Sequence, residues 1–289
     1  MSKTKNFTVT EFFKRFSDDD ACLDHLMKIR HGEIQECPKC GKTGKFSRIK
    51  KLPAYQCSWC GHHIHPMVGT PFEKSRTPLQ KWFYAMYLFT TSRHGVPAKE
   101  LQRQLGVTYK TAWRMGHEIR KYMGVVDGDS DLSGHIEADE TYVGGVEKNA
   151  RGRPSKNSKK TAIFGMVERN GKVMTHIVPN ASKASLIPLI EGNILEGSTI
   201  STDDWNAYHH LNKSGYAHGI VKHQLNEWRS GIHHTNTIEG FWSHLKKSIN
   251  GTHIHVSRKH LPKYLAEFEF RYNMRDTAAV MFNRLLLAF

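Results

Sequence analysis

Residues His135–Val143 read HIEADETYV. The alternation of apolar and polar side chains has the period of a strand and places Asp139 inside it. TAIFGMVER and KVMTHIVPN follow, separated by Asn170-Gly171, the strongest short-range hairpin signal. GSTIST is a short strand running into Asp203, and YAHGIVKH is a fifth strand. SKASLIPLIEGNI reads as a helix with Ser182 at its N-cap, kinked or broken at Pro188. HHTNTIEGFWSHLKK, His233–Lys247, reads as another helix. A long helix near 257–274 and a short apolar tail complete a mixed α/β pattern.

Three acids stand at matching places in that pattern. Asp139 lies within the first strand, Asp203 at the end of a later one, and Glu239 on the helix beyond, 36 positions after Asp203. A ribonuclease-H-like mixed sheet flanked by helices brings such positions to one edge. Carboxylates gathered there suit Mg²⁺, a hard ion that prefers oxygen, and two such ions can serve both the attacking and the leaving oxygen of a phosphodiester. On the helix, Glu239 and Lys246 project only about 20° apart. Asn236 and Ser243 join that stripe, so one face can hold a metal ion and a phosphate.

Each acid has a plainer reading. Glu137 shares a strand face with Asp139. Asp203 and Asp204 are both placed to cap the segment DWNAYHHL. Asn236 and Glu239 have capping-box spacing.

Composition points to a polyanionic partner. Forty-two Lys and Arg against 27 Asp and Glu leave a net charge of +15 and a pI near 9.6. That balance favours DNA or RNA. No apolar run approaches the ~18 residues of a spanning helix, and MSKTKNF has no apolar signal core. A cytoplasmic protein with no membrane partner is expected.

Of five cysteines, four form CPKC (Cys37, Cys40) and CSWC (Cys57, Cys60), 16 residues apart, each pair followed by glycine. CxxCG…CxxCG is the pattern of a zinc ribbon. Four thiolates close the tetrahedron, so the Zn²⁺ would be structural. His62, His63 and His65 crowd the second knuckle as substitute ligands or surface groups. Cys22 is left over.

Val96–Met123 reads as a helix-turn-helix. Leu101 and Leu105 share a face, Gly106 permits the turn, and Thr108 caps a second helix carrying Lys110 and Arg114. Both would meet double-stranded DNA at phosphate or guanine. The alternative is an ordinary helical hairpin with Ala112, Met115 and Ile119 in its core. EKNARGRPSKNSKK, Glu147–Lys160, is a basic loop whose Arg151 and Arg153 are further DNA-binding candidates. The expected organisation is a helical segment (1–34), the ribbon (35–72), a helix-turn-helix-like segment (73–124), a linker (125–134) and the α/β catalytic domain (135–289).

ADETYVGG, STDDWNAY, HTNTIEGFWSHLKK and HLPKYLAEFEFRYNMR together resemble bacterial insertion-sequence transposases of the DDE superfamily, in the group with an N-terminal zinc ribbon. TPFEKSRTPLQKWFYAMYL belongs to the resemblance, which spans about Phe12 to Arg275. It implies DNA transposition with Mg²⁺, on terminal repeats held by the ribbon and the helix-turn-helix. On the family's DET motif Asp139 matches the first acid. On its TDxW motif Asp203 matches the second, with Asp204 at the variable place. Some members carry Asn, followed by Lys, at the third position, and NTIEG contains both Asn236 and Glu239. Glu239 and Lys246 keep the acid-then-Lys spacing, which favours Glu239 over Asn236. Handling two transposon ends implies a homodimer or larger assembly, associated with the nucleoid. The rival readings are a catalytically silent DNA-binding regulator and a ribonuclease-H-like nuclease.

Overall fold

The computed structural model describes residues 7–32, 36–127, 131–144, 160–222, 225 and 228–289. Two compact units emerge: Met1–Val126 with Asp276–Phe289, and Asp127–Arg275.

In the first unit the acidic run Ser17–Asp20 separates helices α1 (Val9–Arg15) and α2 (Asp19–His31). Thr8 and Glu11 cap α1 reciprocally, and Asp18 caps α2 by accepting the Ala21 N–H at 2.8 Å. The acidic run is thus a capped helix start. Strands β1 (Phe46–Arg48), β2 (Tyr55–Cys57) and β3 (His63–Ile64) form a small antiparallel sheet. Helices α3 (Leu79–Thr91), α4 (Ala98–Leu105) and α5 (Tyr109–Asp127) follow. Gly106, at φ 59°, ends α4 in the left-handed region. Thr108 Oγ1 accepts the Thr111 N–H at 3.3 Å at the start of α5.

The second unit is built on β4 (His135–Val143), β5 (Thr161–Glu168), β6 (Val173–Val178), helix α6 (Lys183–Asn193), β7 (Thr199–Asp203) and β8 (Ala217–Val221). Helices α7 (Asn236–Lys247) and α8 (Leu261–Asn273) complete it. The sheet order is β6-β5-β4-β7-β8. β4 pairs antiparallel with β5 and parallel with β7. Three strands in a meander, then two parallel strands added on the far side of the first, make the ribonuclease-H-like sheet. Its two faces carry separate cores. Ile136, Ala138, Phe164 and Met166 pack with Leu186 and Ile190 of α6. Ile163 and Val167 pack with Ile238, Trp242 and Leu265 of α7 and α8.

Three expectations change. α6 runs through Pro188 without a break, because buried Leu186, Ile187 and Ile190 hold it on the core. The linker expected over 125–134 is taken up at both ends. α5 reaches Asp127, and Leu132, 2% exposed, donates its N–H to Asn193 O. The apolar tail is helix α9 (Ala278–Leu287), and it belongs to the first unit rather than to the α/β domain. Phe282 meets Phe16 at 5.5 Å and Phe83 at 5.9 Å between ring centroids, and Phe289 meets Tyr122 at 4.2 Å. Aromatic burial of this kind outweighs adjacency in sequence. No helix among the described residues is long and apolar enough to cross a membrane.

Candidate active site

The sheet register sets the site. β4 and β7 align Glu137 with Ser201. Carried two residues further, the same register sets Asp203 beside Asp139 on the neighbouring strand, on the face that α7 covers. On the other side Asp139 pairs with Gly165 of β5. A Cβ on Gly165 would lie 2.4 Å from Trp242 Cζ2 and 3.1 Å from Ile238 Cδ1. The bare glycine therefore lets α7 settle close to the sheet, and Glu239 follows Ile238 by one residue.

Electrostatics ties the predicted acids together. Dense surroundings first, then the charges of Asp203 and Glu239, push the Asp139 carboxyl up to about 8, with Lys246 and Trp242 opposing. Like charges near a poorly hydrated carboxyl raise its pKa. Desolvation lowers the Lys246 pKa, and Asp139 partly restores it. The charges of Asp203, Glu239 and Lys246 thus all bear on Asp139. The Tyr142 phenol, raised by burial and then by Asp139 and Asp203, stands near the same edge. An excess of oxygen ligands and negative charge fits a hard divalent cation.

The plainer readings resolve differently. Asp204 is half out in solvent, 3.3 Å from His209 Nε2. Glu140 accepts the Tyr208 hydroxyl at 2.5 Å. The capping box that the Asn236–Glu239 spacing allowed is absent. Thr235 is the N-cap residue and Asn236 is the first, exposed residue of α7. Thr235 instead donates its hydroxyl to Glu239 Oε1 at 2.7 Å.

Glu137, the rival on the strand, has another task, which the sequence reading missed. It is 0% exposed. Its Oε2 accepts the N–H groups of Thr237 at 2.7 Å and Ile238 at 3.2 Å, and its Oε1 accepts the Thr237 hydroxyl at 2.9 Å. A strand carboxylate therefore caps the N-terminus of α7, where backbone donors and the helix dipole favour negative charge. Arg169 Nε meets Glu137 Oε1 at 2.8 Å, while its Nη atoms donate to the carbonyls of Ile232 at 2.7 Å and His234 at 3.2 Å. His234 Nδ1 lies 3.1 Å from Glu137 Oε1. Glu137 and Asp139 are neighbours on one strand face, about 7 Å apart along it. The first holds the start of α7, and the second feels the charge of Glu239 in the first turn of that helix.

In the first unit, the sulfurs of Cys37, Cys40, Cys57 and Cys60 all lie within 4.8 Å of one another. Gly41 and Gly61, at φ 64° and 70°, turn the two knuckles. Four thiolates so placed fit a structural Zn²⁺. His62, His63 and His65 stand outside the cluster. On α5, Ala112, Met115 and Ile119 are fully buried, while Tyr109, Lys110 and Trp113 are exposed. Arg114 is exposed and lies across the Trp82 ring, 5.6 Å from its centroid. Arg151 and Arg153 fall outside the described residues.

Two family models match the chain. The ISXO2-like transposase domain covers residues 131–273, and the transposase zinc-ribbon domain covers 17–63. The chain belongs to the DDE-type insertion-sequence transposases with an N-terminal zinc ribbon. The transposase is 26% identical over 277 residues to an uncharacterized protein in transposable element ISH50 of Halobacterium salinarum, covering 89% of this chain and 92% of the relative. It is 31% identical over 105 residues to an uncharacterized transposase-like protein of Haemophilus influenzae, covering 35% of this chain and 81% of that one. The crystal structure of a pre-cleavage Mos1 transpososome overlaps 70% of the transposase and 76% of its own chain, with 12% identity and a TM-score of 0.28. That overlap is too loose to bear on the site.

Proposed function

We propose that this transposase binds the terminal repeats of its insertion sequence, cuts DNA strands there and joins them to a target, using Asp139, Asp203 and Glu239 as the catalytic acids. The observation that carries this reading is the β4–β7 register that sets Asp203 beside Asp139, where the charges of Glu239 and Lys246 also reach. The three carboxylates would hold two Mg²⁺ ions, which supply Lewis acidity to the attacking and leaving oxygens. Asp139 must lose its proton to serve. Lys246 holds the phosphate next to the scissile bond. Glu137 and Thr235 fix the helix and the Glu239 carboxylate in place. In the first step water adds to phosphorus, the bond from phosphorus to the 3′-oxygen breaks, and that oxygen takes up a proton. In the second, the freed 3′-hydroxyl attacks a target phosphodiester, loses its proton and displaces another 3′-oxygen.

The ribbon and the exposed start of α5, with Lys110 and Arg114, would hold the duplex, and Arg151 and Arg153 would add phosphate contacts. Two ends call for at least a homodimer, working in the cytoplasm at the nucleoid. Incubation of the purified protein with end-containing duplex and Mg²⁺ tests this. Nicking and strand transfer that vanish in Asp203→Ala support it, and a well-folded protein that does neither refutes it. Asn236 stays the alternative third position. If Asn236→Ala abolishes chemistry while Glu239→Ala only destabilises the fold, Asn236 is the third ligand.

A further inference from the structure

Beyond α7 the chain makes a π-helical turn, Ser248–His253, and then reverses at Ile254. Ile254 has φ 64° and ψ −51°, and the His255 N–H meets His253 O at 2.7 Å. That is a γ-turn of the rare, strained hand. A β-branched residue there is a genuine outlier, since glycine or asparagine would fit at less cost. Burial does not explain its presence, because Ile254 is 81% exposed. Both flanks are anchored instead. His253 sets its ring edge-on to Tyr264 at 4.8 Å, and Val256 is buried in the core under α7 and α8. The turn therefore holds one bare apolar side chain out into solvent.

Its neighbours along the chain say what it meets. Between Glu239 and Glu267 the chain has no acid and carries Lys246, Lys247, Arg258, Lys259 and Lys263. Lys247, His255, Arg258 and Lys259 are exposed. A protein-binding face needs a broad apolar patch. A single aliphatic tip among cations is the form of a wedge that enters between base pairs while phosphates are held on either side. Ile254 lies eight positions after Lys246, at most about 12 Å along a helix axis. At 3.4 Å per step, that is about three to four base steps.

We propose that Ile254 is a DNA wedge, unstacking a base step within about four positions of the cut strand. This rests on the transposase reading above. The test uses the intact chain and a duplex carrying the terminal repeats, with 2-aminopurine placed in turn at each step around the cut. The wild-type protein and Ile254→Met should brighten the probe at one step. Ile254→Asn should melt no lower than wild type and retain the duplex, yet lose the brightening and cut on the order of tenfold more slowly. Asp203→Ala should keep the brightening while losing all cutting, which separates the wedge from the chemistry. An Ile254→Asn protein that brightens and cuts like wild type overturns the proposal. So does one whose DNA-free oligomeric state changes, since that makes Ile254 a contact between copies. Wild-type protein that neither holds nor cuts the duplex removes the transposase reading itself.

Discussion

Trp242 lies over Gly165 so closely that a single added methyl group would sit 2.4 Å from its ring. Gly165 is also the cross-strand partner of Asp139. The spacing between α7 and the sheet is therefore set beside the acid that needs that spacing. Gly165→Ala should overpack the interface by about 1–3 kcal/mol. Thermal melting of the variant should show a drop of about 2–4 °C per kcal/mol. Cleavage should fall further than stability alone accounts for, while end binding in gel shifts holds.

Glu137 offers a test of positioning. Glu137→Ala strands Arg169 and two helix N–H groups in the interior, and should cost about 3–5 kcal/mol. Glu137→Gln keeps an acceptor for α7 but weakens the hold on Arg169. Its cleavage rate should drop by on the order of ten- to a hundredfold, with a raised Mg²⁺ requirement and unchanged retention of DNA ends. Equal Mg²⁺ titration curves for Glu137→Gln and wild type would show that Glu137 only stabilises the fold.

Asp139 makes the metal-free protein sensitive to pH. Its folded-state pKa, about 8, exceeds the ordinary value of 3.8. Between those values the folded chain keeps a proton that the unfolded chain has lost, so stability falls as pH rises across that window. Mg²⁺ must displace the proton, and its stabilising effect should grow from pH 6 to pH 8.5. Calorimetric melts with and without Mg²⁺ measure this. Asp139→Asn should flatten the pH dependence, raise metal-free stability at pH 8.5 and remove the Mg²⁺ response.

The cysteine cluster predicts one zinc per chain by elemental analysis. Cys57→Ser should lose the metal and the order of β1–β3, because binding energy at a structural zinc site is folding energy. Chelator should do the same reversibly, with zinc restoring the wild-type melt.

Phe282→Ala removes a ring from the core formed with Phe12, Phe16 and Phe83. It should destabilise the first unit by about 3–5 kcal/mol. Hydrogen exchange should report faster opening in α1 and α3 and little change in β4–β8. Loss of protection confined to β4–β8 would place α9 with the other unit instead.

Local patterns in the sequence carried much of this structure. HIEADETYV became a strand with the same ends, and Asn170-Gly171 turned the hairpin, with Asn170 at φ 61°. These features depend on neighbours in sequence, where periodicity and turn chemistry act directly. The cap on α7 was not legible, because its acceptor lies 100 residues before its donor. Spacing that suggested an Asn236–Glu239 box described a local option, and Glu137 supplied a better acceptor from across the fold. One signal was available: Glu137 shares a strand face with Asp139, and a buried carboxylate needs partners. The placement of α9 was hidden for a related reason. An apolar tail shows that it will be buried, but not against what.

The return of α9 to the first unit has a consequence for biosynthesis. Chains grow at roughly 5–20 residues per second, and units generally fold as they emerge. Here α9 is made only after Asp127–Arg275 is complete. The α/β unit can therefore assemble around its acids while the aromatic core begun by Phe12 and Phe16 still waits for Phe282. A chain broken off within or just beyond Asp127–Arg275 would leave that first unit unfinished, however early its residues were made. Synthesis of α9 thereby becomes a condition for a finished first unit.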